Sequence, residues 1–226
     1  MLQKLFENSP KLTIFFLLGA LCCCVSTVLA NREIISPIIG LGGIMLGVLC
    51  LAAVAFTVVF CKMRGVHVPN WYIFIFGLLP LLGVFSIMLQ SMGTPLINDI
   101  TTSIASPPAI ELNEFGKYPQ EFHEPMKKSY NHILEMSQTV DRLQFDKIEK
   151  VLHSEGFAKI KEGRFLYFKK VYKSAFLRFP DHFVIRFDSD GGKSHMDLRS
   201  KSVYGRSDFG VNAQRISQWF NRLVKL

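Results

Sequence analysis

The sequence has no cysteine beyond residue 61, although the 226-residue chain contains five, at positions 22, 23, 24, 50 and 61. The rest of the chain therefore has no thiol for a disulfide, a thiolate metal site or a cysteine nucleophile. The sequence also lacks a glycine-rich phosphate loop after a strand and a histidine pair with the i, i+4 spacing of metal ligands. We predict no cofactor and no metal site.

Three long stretches lack charged residues, namely 12–30, 34–60 and 68–97. A helix crosses a bilayer with about 20 apolar residues, so we predict a membrane domain over residues 1–92 with spans at about 12–30, 35–60 and 70–91. The spans contain no ionisable group of the kind that marks an ion pathway, which favours a role as an anchor. Glycines in the second span predict close helix packing; they are Gly40, Gly42, Gly43 and Gly47.

An alternative interpretation of the N-terminus is a cleaved signal peptide. Lys4 and Lys11 precede the first apolar stretch, which ends in the small-residue pattern Val28-Leu29-Ala30. Against this, the apolar stretch is longer than the roughly 7–15 residues typical of a signal peptide.

The flanking basic residues predict the orientation of the spans. Lys4 and Lys11 precede the first span, and Lys62 and Arg64 follow the second, whereas the first loop has only Arg32 beside Glu33. Because basic loops remain in the cytoplasm, we predict a cytoplasmic N-terminus and a C-terminal domain on the opposite side.

Residues beyond the spans predict a second, α+β domain. Residues 93–120 form an extended lead-in, since Pro107-Pro108 excludes a helix, and residues 121–226 contain a mainly antiparallel sheet with two helices packed on one face. The predicted helices begin near Thr139, which caps the first, and near Val211; Gly156 ends the first of them. The predicted strands are 157–161, 164–173, 183–187 and 195–203, with a further short strand at 132–136.

Charge is distributed unevenly in this domain. Residues 93–158 contain six Lys or Arg against ten Asp or Glu, whereas residues 159–226 contain fifteen against six, a net charge of +9. Outside the cytoplasm the abundant anions are lipid headgroups and envelope polymers, so we expect no nucleic-acid partner. A basic surface that only maintains solubility is the other interpretation.

Two motifs resemble a known family. The run SHMDLRSKSVYGRSDFGVNAQRI, at 194–216, and the earlier TPLINDITTSIASPPAI, at 94–110, are similar to the signature of the bacterial domain-of-unknown-function family 1499. The resemblance covers about the last 130 residues. It implies a module without an assigned reaction, and a bacterial source would place the chain in the inner membrane with its C-terminal domain in the periplasm.

The second motif joins the last strand to the last helix, and it supplies the candidate ligand-binding residues. Period-two alternation places Asp197 and Arg199 on one face of the strand and Ser200 on the other, and Ser207 or Asp208 can cap the helix. In one interpretation the arginines form bidentate ion pairs with Asp197, Asp208 or Asp99 that pin the helix and the lead-in to the sheet. In another they leave an anion-binding concavity. The candidates are Asp197, Arg199, Ser200, Arg206, Ser207, Asp208, Asn212 and Arg215.

A third interpretation is a hydrolase-like or transferase-like envelope enzyme, with Ser200 or Ser207 as nucleophile and His182 or His195 as base. We predict instead an anchored binding or interaction module whose partner, besides the bilayer, is an anionic envelope ligand or a membrane protein. A purely structural scaffold is a further alternative.

Overall fold

Two long apolar helices account for the first two predicted spans. The computed structural model describes residues 9–65, 82, 85–86, 89, 92, 94–111, 118–136, 138–175, 177–190 and 193–226. Helix α1 covers Ser9–Asn31 and helix α2 covers Pro37–Met63. Within them, Ile14–Asn31 and Pro37–Met63 have mean hydropathies of 2.2 and 2.8, and each is long and apolar enough to cross a membrane. The third predicted span, at about 70–91, lies mainly outside the described residues.

Small residues allow α1 and α2 to approach closely. A Cβ added to Gly47 would lie 2.4 Å from Sγ of Cys23, and one added to Gly43 would lie 2.0 Å from Oγ of Ser26. Close packing at Gly43 and Gly47 thus matches the prediction, whereas Gly42 has nothing within 4 Å of a Cβ. Glycines four residues apart are a common device for packing helices without a hydrophobic driving force between them.

The remainder of the chain forms an antiparallel sheet. The chain divides into two compact units, Met1–Met92 with Ser174–Arg178, and Gly93–Lys173 with Phe179–Leu226. In the second unit the strand order is β1-β6-β5-β4-β3, and β2 also pairs with β6. The strands are β1 (Asp99–Thr101), β2 (Gln138–Val140), β3 (Ala158–Glu162), β4 (Phe165–Lys173), β5 (Pro180–Asp190) and β6 (Lys193–Ser202).

Three helices pack on one face of this sheet, namely α3 (His123–Leu134), α4 (Arg142–Ser154) and α5 (Val211–Val224). The core between them buries alternate residues of β5 and β6, including Phe183, Ile185 and Leu198, together with Ile148 of α4 and Ile216 of α5. The α+β class and the antiparallel sheet are therefore confirmed, with one more helix than the sequence predicted.

The additional helix is α3, where the sequence predicted a short strand over 132–136; that prediction was wrong. Pro125 lies in the first turn of α3, where a missing N–H leaves no intrahelical bond unmade. The buried residues of α3 are Met126, Tyr130 and Ile133, which have the spacing of a single helix face.

The start of α4 also differs from the prediction. Thr139 was predicted to cap the helix, but Thr139 and Val140 both belong to β2, and Val140 is fully buried there. Asp141 caps the helix instead, because its side chain accepts a hydrogen bond of 2.8 Å from the amide of Gln144. Gly156, at a φ of 77°, follows the helix as predicted.

We predict that Asp141→Ala destabilises the domain, whereas Thr139→Val has little effect. Loss of an N-cap side chain costs about 1 kcal/mol. Thr139 is exposed in β2, and valine keeps its β-branched shape without the hydroxyl. Thermal melting of the full-length protein in detergent measures both changes. If Thr139→Val lowered the melting temperature as much as Asp141→Ala, our assignment of the cap would be wrong.

Candidate functional site

The elbow, defined as residues 203–210, links β6 to α5 and turns the chain sharply. Gly210 has a φ of 83°, in the left-handed region that favours glycine. Asp208 stabilises the turn with both carboxylate oxygens: Oδ1 accepts from the amide of Gly210 at 3.0 Å and Oδ2 from the amide of Asn212 at 2.6 Å. The N-cap residue of α5 is Gly210 and not Ser207 or Asp208 as predicted, but Asp208 accepts from the amide of Asn212 in the first turn of the helix. Burial raises the pKa of the Asp208 carboxyl, against the opposing effect of these amide donors.

On the helix side of β6, three candidate residues form one hydrogen-bonded cluster. The buried hydroxyl of Ser200 donates to Oδ1 of Asn212 at 2.6 Å. Nη1 of Arg215 donates to Oγ of Ser200 at 2.8 Å and to Oδ1 of Asn212 at 2.6 Å. Nη2 of Arg215 donates to Oδ2 of Asp181 at 2.8 Å. The cluster therefore joins α5 to β6 and β5, and its cation is neutralised by a carboxylate of the same domain.

The same asparagine extends the cluster to the lead-in. Nδ2 of Asn212 donates to the carbonyl of Asn98 and to Oγ of Ser202, both at 3.0 Å. The Asn212 side chain is fully buried, so each of these bonds satisfies a group that water does not reach.

On the opposite face of β6, Arg199 and Asp99 form a buried bidentate ion pair. Nε of Arg199 lies 2.9 Å from Oδ1 of Asp99, and Nη2 lies 2.6 Å from Oδ2. Their exposed fractions are 1% and 0%. The hydroxyl of Tyr118 donates to the Asp99 carbonyl, and its pKa is raised by burial and by the Asp99 carboxylate. Arg199 and Asp99 thus form one of the pairs that the sequence allowed, whereas Arg215 pairs with Asp181 and Arg206 has no carboxylate partner among the described residues.

A second buried ion pair lies beside the first. Nη2 of Arg186 lies 2.6 Å from Oδ2 of Asp197, and Asp197 Oδ1 accepts from the Thr102 hydroxyl at 3.3 Å. The sequence analysis missed Arg186 as a site residue. The pairing of Arg186 with Asp197 across β5 and β6 explains the contact, but it becomes visible only once the strand register is known.

Three basic side chains hold the lead-in against this face. Carbonyl oxygens of alternate residues accept from three strands: Ser106 from Arg186 at 2.8 Å, Pro108 from Arg199 at 3.0 Å, and Ile110 from Lys169 at 2.8 Å. We call residues 102–111 the strap. The two prolines leave its carbonyls without helical partners, and the cations of the sheet supply donors instead.

Two candidate residues, Arg206 and Ser207, belong neither to the cluster around Asn212 nor to the two buried ion pairs. Arg206 is exposed, and within the described part of the chain it makes no hydrogen bond or ion pair. The Ser207 hydroxyl donates to the Pro95 carbonyl at 3.4 Å and accepts from the amide of Phe209 at 3.3 Å. Six of the eight candidates therefore belong to internal networks, and Arg206 faces solvent.

Ser200 and His195, one of the predicted nucleophile–base pairs, lie on opposite faces of β6. Ser200 bonds to Asn212 and Arg215, and His195 lies 3.7 Å from Asp197. No group of three or more His, Cys, Asp or Glu side chains among the described residues can hold a metal ion. The arrangement positions backbone segments and neutralises charge.

A family model described as a protein of unknown function, DUF1499, matches residues 99–223. The chain belongs to the DUF1499 family. The DUF1499 match begins at the first residue of β1 and ends in α5, so it contains the sheet, the strap, the elbow and both ion pairs. A search of curated proteins found no match to the chain.

We predict that Arg199→Met lowers the stability of the DUF1499 domain by about 3–5 kcal/mol, because it leaves the Asp99 carboxylate buried and unpaired. Thermal melting of the full-length protein in detergent measures the effect. Asp99→Leu combined with Arg199→Met removes both charges and should recover much of the loss. Arg206→Gln is the matched control at an exposed arginine and should change stability little. An unchanged melting temperature for Arg199→Met would contradict this structural role.

Proposed function

We propose that the chain is a bacterial inner-membrane protein that presents the DUF1499 domain in the periplasm as a binding or interaction module for an anionic envelope component. The N-terminus lies in the cytoplasm, and three spans anchor the chain. The two apolar helices support membrane association, and the basic residues around the spans support the orientation.

The exposed surface of the elbow is the observation that carries this proposal. Besides Arg206 it presents four apolar side chains, namely Val203, Tyr204, Phe209 and Val211, which are 36–51% exposed. Arginine beside aromatic residues is enriched in binding surfaces, since such side chains combine charge, area and few rotatable bonds. We call these five residues the elbow tip.

Local charge favours an anion as the partner. Residues 193–226 contain seven Lys or Arg but only two acidic residues, Asp197 and Asp208. Both carboxylates are buried. Among the cations, Arg199 is buried beside Asp99, and Arg215 and Arg222 pair with Asp181 and Glu155. The other exposed cations of this segment are Lys193, Arg206 and Lys225.

The position of the elbow tip in the chain favours lipid headgroups as that anion. Nδ2 of Asn98 donates to the Gly205 carbonyl at 2.6 Å, and Ser207 contacts Pro95. Residues 95–98 directly follow the stretch in which we propose the third span, and Leu96 is 72% exposed. Tyrosine, arginine and apolar side chains are typical of a lipid interface.

Hydrogen–deuterium exchange of the full-length protein in nanodiscs tests this proposal. We expect amides of residues 203–211 to exchange more slowly in phosphatidylglycerol than in phosphatidylcholine nanodiscs. Arg206→Gln should remove most of that difference, since one basic residue near an anionic surface contributes about 1 kcal/mol, or about fivefold.

Two variants serve as controls. Arg206→Lys keeps the charge and should retain the lipid dependence, and Lys225→Gln removes an exposed charge outside the elbow tip and should leave it unchanged. Equal exchange in both lipids for the wild type would overturn the assignment of lipid headgroups. An equal lipid dependence in wild type and Arg206→Gln would overturn the role of the elbow tip.

A further inference from the structure

A cleft of about 490 Å³, which we call the basic cleft, lies at the other end of β6 from the elbow. Nine residue steps separate Lys193 from Ser202, which corresponds to roughly 30 Å along the strand. The cleft is lined by five basic side chains, namely Arg142, Lys159, Lys161, Arg164 and Lys193. Phe145, Phe165 and Leu166 supply its apolar lining, and no acidic residue lines it.

The fold brings these cations together from separate elements. Lys159 and Lys161 occupy the helix face of β3, because their partners across the strand pair are Phe168 and Leu166. Arg142 is the first residue of α4, and Lys193 is the first residue of β6. Arg164 follows Gly163, whose φ of 59° forms the tight turn between β3 and β4. Four chain segments therefore direct positive charge to one space.

Only part of this charge is neutralised by the protein. Lys159 pairs with Glu149, and Arg164 pairs with Asp188 at 3.0 Å. Arg142 and Lys161 have no carboxylate partner within the described part of the chain, and Lys193 lies opposite Asp190 in the register of β5 and β6. Cations around one cleft repel each other, and Arg142 also lies at the positive end of the α4 dipole. Ion pairing within the described part of the chain thus does not account for Arg142 and Lys161.

We propose that this cleft binds an anion with two or more phosphate charges. The unpaired cations supply donors to phosphate oxygens, and the N-terminus of α4 adds a favourable potential for negative charge. Phe145, Phe165 and Leu166 contact the part of the ligand that carries the phosphates. This site is independent of the elbow tip and of the function proposed for it.

Protection of a sheet edge explains only some of these residues. β3 is the last strand of the sheet, and lysines on an edge strand discourage pairing with another chain. That role applies to Lys159 and Lys161. It does not apply to Arg142 on α4 or to Lys193 on β6, an interior strand, and both line the same cleft.

Calorimetric titration of the full-length protein in neutral detergent with inorganic pyrophosphate tests the proposal. We expect pyrophosphate to bind more tightly than inorganic phosphate, and binding to weaken at higher salt. Arg142→Gln, Lys161→Gln and Lys193→Gln should each weaken binding about tenfold, the loss expected for one charge-assisted hydrogen bond. Lys128→Gln, at an exposed lysine outside the cleft, and Arg206→Gln, in the elbow tip, should leave it unchanged.

Melting temperatures of the same variants separate binding from folding. Without ligand, Arg142→Gln and Lys161→Gln should be as stable as the wild type or more stable, because each relieves repulsion. Absence of pyrophosphate binding to the wild type would overturn the proposal, as would equal binding by the cleft variants and Lys128→Gln. A cleft variant that only lost stability and kept its affinity would also overturn it.

A matched probe distinguishes two sources of the same phosphate chemistry. Geranyl diphosphate carries the pyrophosphate group on an apolar chain. Tighter binding of geranyl diphosphate than of pyrophosphate would support a lipid-linked diphosphate that contacts Phe145 and Phe165. Equal affinities, both lost in Lys161→Gln, would support a free phosphorylated solute.

Discussion

The ion pair between Arg199 and Asp99 is the contact on which the rest of the domain depends. It joins β1 to β6, and through Nη1 of Arg199 it also fixes the strap at Pro108. A buried ion pair is not by itself a strong source of stability, since desolvation offsets most of the attraction. Here the ion pair fixes the positions of β1, β6 and the strap, because removing either partner leaves a charge that the interior cannot accommodate.

Side chains of the family motif lie on both faces of β6 and make different contacts on each face. On one face Asp197 accepts from Thr102 of the strap and Arg199 donates to Pro108. On the other face Ser200 and Ser202 join α5 through Asn212. Most of the candidate ligand-binding residues predicted from the sequence thus make contacts within the domain. The charges left for a partner lie elsewhere, at the elbow tip and in the basic cleft, and neither is part of the buried network.

Some features of this arrangement follow from local sequence rules. Alternation along β6 predicts which side chains share a face. Other features need the fold. The partner of Asp197 is Arg186 because β5 and β6 pair in one register, and the basic cleft combines residues of α4, β3, the β3–β4 turn and β6. The sequence analysis missed helix α3 and predicted a strand over 132–136, although Pro125 is compatible with the first turn of a helix.

Native mass spectrometry of the full-length protein, released from detergent as purified from cells, tests the central claim most directly. We claim that the buried arginines hold the fold and that exposed cations bind an anionic envelope component. We expect the wild type to retain a phosphate-bearing mass that Arg206→Gln, or a variant of the basic cleft, loses while remaining folded. A wild-type protein that carries no such mass, or variants that retain it fully, would contradict the account.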